Sequence, residues 1–278
     1  MSPAAGADLP VGLLPGWRPA LVALDIDGTA VRAETDEVSP AVVEAVARAR
    51  AEGAHVVLAT GRGVLGVRDV AVQLGLGDQP AVCSNGAVTA VPERLEVLHA
   101  VTFDCGPAVR IIQQSLPEAI VAVERPGLGY AVTRPFPPDE VSGEQLVLPV
   151  EEIVARPVSR MVVRWPGAEL EEFVARVEAA GLHGVNYAIG YSAWLDVMPP
   201  GVSKASALEV LREELGVPGG RTAAFGDGRN DLEMIAWAAH GVAMGEAVLE
   251  VQDAADEVTL SAHDDGVAHV LTRWFPPA

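Results

Sequence analysis

Short apolar runs alternate with amphipathic segments in the first third of the chain. The strands predicted from these runs are Leu21–Asp25, His55–Ala59 and Ala81–Cys83. Between them, Ser39-Pro40 is typical of a helix start, and Gly75 marks a helix end. Continuous apolar runs are typical of strands buried on both faces of a parallel sheet. The pattern therefore predicts a βαβ arrangement over residues 19–87, with right-handed crossovers.

The pattern changes in the middle of the chain and then returns. From residue 88 to 198, pairs of short strands are separated by Pro-rich turns, with one clear helix over 168–180, which is typical of an α+β domain. The later βα elements are predicted at 222–225, 229–239, 241–244 and 263–274. We therefore predict an α/β fold with a Rossmann-like, doubly wound parallel sheet as the core.

The predicted domain organisation follows from this return of the βα pattern. The core comprises residues 19–87 and 199–278, because both stretches show the same alternation. Residues 88–198 form an inserted α+β domain, and residues 1–18 are a leader outside the core. No internal repeat or low-complexity tract interrupts the sequence.

Composition and charge narrow the function classes. The 278 residues are 50% hydrophobic with 38 acidic and 19 basic residues, giving a net charge of −19. This charge argues against sequence-independent binding to nucleic acid or to anionic membranes. The first residues lack a basic segment and are interrupted by Pro10 and Pro15, so we expect no signal peptide or membrane span. We expect a cytoplasmic protein, a monomer or a small homo-oligomer.

Only two cysteines occur, Cys83 and Cys105, and their spacing does not suit a metal site. So few thiols in a chain of this length are typical of a reducing compartment. We expect both to be structural.

Candidate chemistry is concentrated at the ends of the predicted strands. Asp25 and Asp27 lie two residues apart in Asp25-Ile26-Asp27-Gly28-Thr29, directly after an apolar run. Ligands of open α/β sheets bind outside the carboxyl ends of the strands. The alternative is a strand followed by an acidic turn, since Asp-Gly is a common turn dipeptide.

Three further segments favour a phosphate site over that alternative. Thr60-Gly61-Arg62 follows the second strand and offers a hydroxyl and an accessible amide. Lys204 falls in the first turn of a helix capped by Ser203, where a cation is electrostatically unfavourable and an anionic partner would explain it. Gly226-Asp227-Gly228-Arg229-Asn230-Asp231 ends another predicted strand with paired acids.

The charges of these residues require compensation. The carboxylates of Asp25, Asp27, Asp227 and Asp231 cannot all ionise beside a dianionic phosphate without a cation. Hard oxygen ligands favour Mg²⁺ over zinc. The sequence thus predicts a magnesium-dependent phosphoryl-transfer site.

The chain resembles the haloacid dehalogenase-like phosphohydrolases, in particular the magnesium-dependent Cof-type group of subclass IIB. The four segments match the motifs of this family in order, and the resemblance extends over residues 19–275. The additional matching segments are Cys83-Ser84-Asn85-Gly86-Ala87, Trp194–Gly201, Ala243-Met244-Gly245 and Asp264–Ala268. Glu246 departs from the pattern, because many relatives carry Asn there, and the leader before Arg18 has no counterpart.

The resemblance implies a role for each matching residue. Mg²⁺ would bind the carboxylates of Asp25 and Asp227 and the backbone carbonyl of Asp27, with Asp231 and Asn230 in support. Asp25 would attack phosphorus, and Asp27 would act as general acid and then as general base. The residues implied for phosphate binding are Thr60, Gly61, Lys204 and Asn230, and those implied for substrate contact are Arg62 and Asn85.

The substrate is expected to be a small phosphorylated metabolite, with sugar phosphates the leading class that the resemblance implies. A phosphomutase of the same superfamily and a non-catalytic phosphometabolite-binding protein stay open as alternatives. A P-type ATPase is excluded, because such pumps need long apolar spans and carry Thr where this chain has Asp27. Seven side chains of the inserted domain could contact substrate, although packing or solvation is the favoured role for each. They are Arg125, Arg134, Arg160, Arg164, His183, Tyr187 and Trp194.

Overall fold

The computed structural model describes residues 14–32, 35–138, 140–182, 186–189 (backbone only) and 192–277. The strands are β1 (Leu21–Leu24), β2 (His55–Leu58), β3 (Ala81–Cys83), β4 (Val88–Val91), β5 (Glu96–Ala100), β6 (Ile120–Arg125), β7 (Gly129–Val132), β8 (Glu144–Val147), β9 (Met161–Arg164), β10 (Asn186–Ile189), β11 (Trp194–Met198), β12 (Thr222–Gly226), β13 (His240–Ala243) and β14 (Glu257–Val258). The α-helices are α1 (Pro40–Ala51), α2 (Val64–Gln73), α3 (Gly106–Ser115), α4 (Val150–Ile153), α5 (Leu170–Ala180), α6 (Lys204–Glu214), α7 (Leu232–Trp237), α8 (Leu249–Ala254) and α9 (Gly266–Trp274).

The chain divides into two compact units. The first unit comprises the described residues up to Leu58, together with Val72–Gln79 and the described part of Leu208–Ala278. The second unit comprises Ala59–Ala71 and the described part of Pro80–Ala207. The predicted insertion at residues 88–198 stays a prediction.

The first unit is built on a parallel sheet with the strand order β14-β13-β12-β1-β2. Every residue of β1, β12 and β13 is buried, as expected for strands covered on both faces. Helices α1 and α9 pack against each other, and Arg48 of α1 donates hydrogen bonds to Thr272 and to the carbonyl of Phe275. The predicted α/β class with a parallel sheet is confirmed.

The second unit contains two sheets. β3, β4 and β5 form an antiparallel sheet, and a mixed sheet has the order β10-β11-β9-β6-β7-β8. Helices α3 and α5 pack together, and their apolar residues share a core with alternate positions of the mixed sheet, such as Val121, Val123 and Met161. Ile120, Ala122 and Val162 alternate with them and form a separate apolar cluster. The mixed sheet therefore has two differently occupied faces.

Several element boundaries differ from the sequence prediction for local reasons. The segment 229–239 begins as a 3₁₀ turn at Arg229–Asp231 and continues as α7 only to Trp237, because Ala238 is extended. The last helix begins at Gly266, three residues later than predicted, because Asp265 adopts a left-handed φ of 57°.

Helix α3 was not predicted. Its sequence begins with Gly106-Pro107 and contains Ile111-Ile112, which are typical of a turn and a strand rather than a helix. Pro107 nevertheless suits the first turn of a helix, because the amide it lacks would have no intrahelical partner there.

Among the described residues, no helix combines the length and apolar character that crossing a membrane requires.

Candidate active site

Two neighbouring parallel strands bring the first acidic residues together. β1 and β12 pair in a register that places Leu24 beside Phe225, and the backbone N–H of Asp25 donates to the carbonyl of Phe225 at 3.0 Å. Asp25 follows the last residue of β1, and Asp227 follows the last residue of β12. Because parallel strands end at the same edge of a sheet, both carboxylates emerge at that edge.

A cluster of three carboxylates lies there. Oxygens of Asp25, Asp227 and Asp231 all lie within 4.8 Å of one another. Asp25 is 5% exposed and Asp231 is fully buried, whereas Asp227 is half-buried. We refer to Asp25, Asp227 and Asp231 as the carboxylate cluster.

Backbone hydrogen bonds fix the turn that carries two of these acids. Oδ2 of Asp231 accepts the backbone N–H groups of Asp227 and Gly228, each at 3.0 Å. The hydroxyl of Thr29 donates to Oδ1 of Asp227 at 3.3 Å. The sequence motif assigns no role to Thr29, so this contact with Asp227 is a feature that only the structure shows.

Glycine is required at two positions around the cluster. A Cβ on Gly28, which has a φ of +77°, would lie 2.6 Å from Oδ2 of Asp227. A Cβ on Gly226 would lie 2.5 Å from the Cβ and Cγ of Asp231. Since real Cβ atoms do not approach other atoms so closely, the cluster depends on both glycines.

The cluster suits a divalent cation. Three carboxylates so close together repel one another strongly when ionised, especially where two of them are buried. Oxygen-only donors of this kind favour Mg²⁺ over softer metals. The residues present therefore fit the metal predicted from the sequence.

Asp27 differs from the cluster residues. Its side chain is exposed, and its carboxylate is not one of the three that come together. The turn around it is closed by the backbone N–H of Gly28, which donates to the carbonyl of Val31 at 3.0 Å. An exposed carboxyl beside Asp25 in the chain suits proton exchange with substrate or water better than metal binding.

The second unit brings together other predicted residues. The backbone N–H of Thr60 donates to the carbonyl of Val82, and the backbone N–H of Asn85 donates to the carbonyl of Thr60, both at 2.9 Å. A Cβ on Gly61 would lie 3.3 Å from the amide atoms of the Asn85 side chain. Thr60 is fully buried and Asn85 is 6% exposed. Thr60, Gly61 and Asn85 therefore lie next to one another.

Lys204 lies beside the same turn. It is the first residue of α6 and is 1% exposed. Ser203 caps this helix, since its hydroxyl oxygen accepts the backbone N–H of Ser206 at 3.3 Å. A Cβ on Gly86, next to Asn85, would lie 2.1 Å from the carbonyl oxygen of Ser203. Burying an ammonium at a helix N-terminus is costly without nearby negative charge.

The remaining predicted site residues are more exposed. Asn230 is exposed in the 3₁₀ turn of the first unit, and its side-chain oxygen lies close to Gly228. Arg62 is half-buried and donates from Nη1 to the carbonyl of Gly66 at 3.2 Å. Its contact within its own loop does not by itself indicate a substrate role.

The side chains of residues 88–198 that were candidates for substrate contact have structural partners where they are described. Arg125 pairs with Glu144, Arg164 pairs with Glu140, and Arg134 donates to backbone carbonyls. The ring of Trp194 packs on Phe136, and its Nε1 donates to Asp196. Arg160 is buried and paired with Asp196. His183 lies outside the described residues, and only the backbone of Tyr187 is described.

Glu246 and the two thiols have structural explanations. Oε1 of Glu246 accepts the backbone N–H of Ala262 at 2.7 Å, so the departure from the usual Asn makes a loop contact of its own. Cys83 and Cys105 are buried free thiols. Burial raises the pKa of the Cys105 thiol to about 11, and it raises the pKa of Cys83 further, so neither is a reactive thiolate.

Comparisons with known proteins identify the family of the chain. The family model of the haloacid dehalogenase-like hydrolases matches residues 22–126 and 138–271. A Streptococcus pyogenes protein provisionally named as a phosphatase is 30% identical over 266 residues, which cover 91% of this chain and 97% of that protein. The HMP-PP phosphatase of Serratia proteamaculans is 26% identical, over 92% of this chain and 95% of that protein.

A solved structure extends the similarity to the fold. The subclass IIB sugar phosphatase BT4131 is 25% identical, with a TM-score of 0.77, and the match covers 91% of this chain and 98% of that chain. These findings confirm the resemblance and the enzyme class predicted from the four segments.

Proposed function

Because the chain belongs to the haloacid dehalogenase-like hydrolase family, we propose that it is a Mg²⁺-dependent phosphatase that hydrolyses small phosphorylated metabolites through an aspartyl-phosphate intermediate. The observation that carries the proposal is the carboxylate cluster, in which Asp25, Asp227 and Asp231 approach within 4.8 Å at the carboxyl edge of a buried parallel sheet. Three carboxylates at this separation form a ligand set typical of a hard divalent cation, and a purely structural role does not require such a set.

Two residues of the carboxylate cluster and one backbone carbonyl would hold the metal. Asp25 and Asp227 would contribute carboxylates and Asp27 would contribute its backbone carbonyl, while Asp231 supports the turn through its bonds to Asp227 and Gly228. When bound, Mg²⁺ supplies positive charge that offsets the carboxylates and the phosphoryl oxygens. Nucleophilic attack and proton transfer are assigned to side chains of the protein.

Asp25 is the proposed nucleophile. One carboxylate oxygen attacks phosphorus in line with the leaving oxygen, so that the bond to the alkoxide breaks as the aspartyl-phosphate forms. Water then attacks the phosphorus of this intermediate, which releases inorganic phosphate and restores the Asp25 carboxylate. The backbone N–H of Asp25 donates to the carbonyl of Phe225, and this hydrogen bond fixes the start of the loop that carries the nucleophile.

Asp27 is the proposed acid and base. In the first step it gives its proton to the leaving alkoxide, and in the second it takes a proton from the attacking water. The exposure of its side chain suits both transfers. General acid–base action contributes about 10²–10⁴-fold to a rate, so positioning and electrostatics must supply most of the acceleration.

Thr60, Gly61, Lys204 and Asn230 are the proposed phosphate-binding residues. A hydroxyl, a backbone amide, an ammonium and a side-chain amide all favour the charged phosphoryl oxygens. The position of Lys204 at the start of α6 supports this assignment, because a cation is unfavourable in the first turn of a helix and an anionic phosphoryl group would offset this. Arg62 and Asn85 are proposed to contact the rest of the substrate.

Sugar phosphates are the proposed substrate class. Support comes from the similarity to BT4131, whose name describes a sugar phosphatase, while the similarity to the Serratia enzyme makes HMP-PP a second compound to assay. The net charge of −19 makes local positive groups necessary for capturing any anionic substrate.

The test is a hydrolysis screen that measures phosphate release, with Mg²⁺ and with a chelator in its place. The substrates are sugar phosphates, phosphoglycolate, nucleotides, HMP-PP and an aryl phosphate, and Asp25→Asn is the inactive control. We expect Mg²⁺-dependent release that Asp25→Asn abolishes. Conversion of one sugar phosphate into another without phosphate release would instead favour a phosphomutase, and binding without turnover would favour a non-catalytic role.

A further inference from the structure

A buried carboxylate in the mixed sheet is unexplained by the proposed mechanism. Glu124 lies in β6 and is 6% exposed. Val121 and Val123 contribute to the core shared with α3 and α5, whereas Ala122 belongs to the other apolar cluster. Because side chains alternate along a strand, Glu124 lies on the face that Ala122 occupies.

This carboxylate contacts two separate turns of the second unit. The hydroxyl of Ser84 donates to Oε2 of Glu124 at 2.5 Å. On its other side, a Cβ on Gly63 would lie 2.6 Å from Oε1, and the backbone N–H of Val64 also donates to the carboxylate. One side chain therefore joins the turn after Thr60-Gly61-Arg62 to the turn after β3.

The turn after β3 has an unfavourable backbone. Ser84 and Asn85 have φ values of 52° and 53°, and Gly86 has a φ of 101°. Left-handed conformations are disfavoured for residues with a Cβ, so two in succession persist only where the surroundings hold them. The backbone N–H of Ser84 donates to the carbonyl of Arg62 at 2.8 Å, and the hydroxyl of Ser84 is fixed by its hydrogen bond to Glu124.

We propose that Glu124 is a positioning residue, which accepts the Ser84 hydroxyl and so holds Ser84 and Asn85 in the left-handed conformation that places the Asn85 amide against Gly61. The inference rests on the proposed function, because it assigns a purpose to the geometry of Thr60, Gly61 and Asn85. Glu124 acts only through Ser84 and the backbone, and it is not proposed to touch the reacting atoms.

The surroundings of Glu124 explain why it stays in place. Arg160 donates to Asp196 at 2.8 Å and to the hydroxyl of Tyr130 at 3.3 Å. Tyr130 lies opposite Glu124 in the pairing of β6 with β7. Burial raises the pKa of Glu124, while the charge of Arg160 and the Ser84 hydrogen bond oppose that rise. The Glu124 carboxyl group thus accepts hydrogen bonds from Ser84 and Val64 and lies near enough to Arg160 to feel its charge.

The sharpest test uses two variants that differ by one methyl group. Ser84→Ala removes the hydroxyl but keeps the left-handed penalty, whereas Ser84→Gly removes both. We expect Ser84→Ala to weaken inorganic phosphate binding by about tenfold and to raise KM more than it lowers kcat. Ser84→Gly should retain most of the binding. Equal losses in the two variants would overturn the proposal.

A second arm examines Glu124 itself by amide hydrogen exchange. Glu124→Leu should accelerate exchange at the amides of Ser84 and Asn85 by at least about tenfold, and Ser84→Gly should suppress that acceleration in the double variant. The matched control is Glu140→Leu, which removes a carboxylate paired with Arg164 of the same sheet and should leave these amides unchanged. Unchanged exchange in Glu124→Leu would contradict the inference.

Hydrogen exchange separates the two proposals. If the natural protein hydrolyses no phosphomonoester, the proposed function fails, but the exchange result still decides whether Glu124 holds the turn. If Glu124→Leu does not fold, the comparison of Ser84→Ala with Ser84→Gly decides the inference by exchange at Asn85.

Discussion

The buried carboxylate of Asp231 accepts the backbone N–H of Asp227 at 3.0 Å, and so one acid of the cluster fixes the loop that carries another. The same oxygen accepts the N–H of Gly228 at 3.0 Å. Asp231 therefore has a structural role in the turn in addition to its negative charge.

Substitutions of Asp231 should separate those two roles. Asp231→Asn keeps an oxygen that can accept both N–H groups but removes the charge, so we expect weaker Mg²⁺ affinity with little change in stability. Asp231→Ala leaves two buried N–H groups unpaired, at a cost of about 1–3 kcal/mol each. Thermal unfolding and Mg²⁺ titration of activity measure the two effects. Equal destabilisation by both variants would contradict the structural role.

Gly28→Ala should damage the carboxylate cluster. The new Cβ would lie 2.6 Å from Oδ2 of Asp227, and the left-handed φ of +77° adds about 1–2 kcal/mol of strain. We expect a large loss of Mg²⁺-dependent activity. Gly167→Ala is the matched control, because Gly167 has a φ of +78° but nothing within 4 Å of its Cβ position. If both variants lose activity equally, close packing against Asp227 is not the cause.

The buried pair of Arg160 and Asp196 should be sensitive to the loss of one partner. Their side chains are 5% and 13% exposed, and Nη2 of Arg160 lies 2.6 Å from Oδ1 of Asp196. Asp196→Leu leaves a buried guanidinium without its carboxylate, so we expect a loss of about 3–5 kcal/mol in the free energy of unfolding. Denaturant unfolding measures this.

An exposed pair provides the control for that prediction. Glu172 and Arg176 lie 2.8 Å apart on α5 with side chains 53% and 44% exposed. Glu172→Gln should change stability by only about 0.3–0.5 kcal/mol. A similar small change in Asp196→Leu would show that Arg160 does not depend on its partner.

Acid stability should depend on Glu209. Hydrogen bonds from Arg212 and from the indole of Trp237 lower the pKa of Glu209 from 4.5 to about 2. Because the folded-state pKa is below the unfolded value, this contribution to stability is present above pH 4.5 and is lost as the pH falls towards 2. The unfolding free energy of Glu209→Gln should therefore fall less across this window than that of the natural protein. Since the Glu209 side chain is 44% exposed, added salt should reduce the difference. Parallel pH profiles for the two proteins would contradict this.

The sequence predicted the parallel sheet well because its strands are buried on both faces and therefore carry continuous apolar runs. Asp25 and Asp227 could be placed at one edge because each follows such a run directly. Helix α3 could not be predicted from its residues, because Ile111 and Ile112 have strand-like preferences that packing against α5 overrides.

Long-range contacts explain what else the sequence missed. Glu124 is a single acid among valines in β6, and nothing in that pattern indicates that it meets Ser84, forty residues away. Asp231 was predicted to support the metal site from behind, whereas the structure also places its carboxylate in the cluster. The contact of Glu124 with Ser84 and the position of Asp231 in the cluster both depend on the conformations of turns, which the local pattern of apolar residues does not specify.

The most direct test of the central claim is to trap the covalent intermediate. During turnover with Mg²⁺ and a hydrolysed sugar phosphate, the reaction is quenched rapidly with acid, and the digested protein is analysed by mass spectrometry. We predict a hydroxylamine-labile phosphoryl group on the peptide that contains Asp25, absent from Asp25→Asn. Sustained phosphate release by Asp25→Asn, or a phosphoryl group found on another residue, would contradict the account.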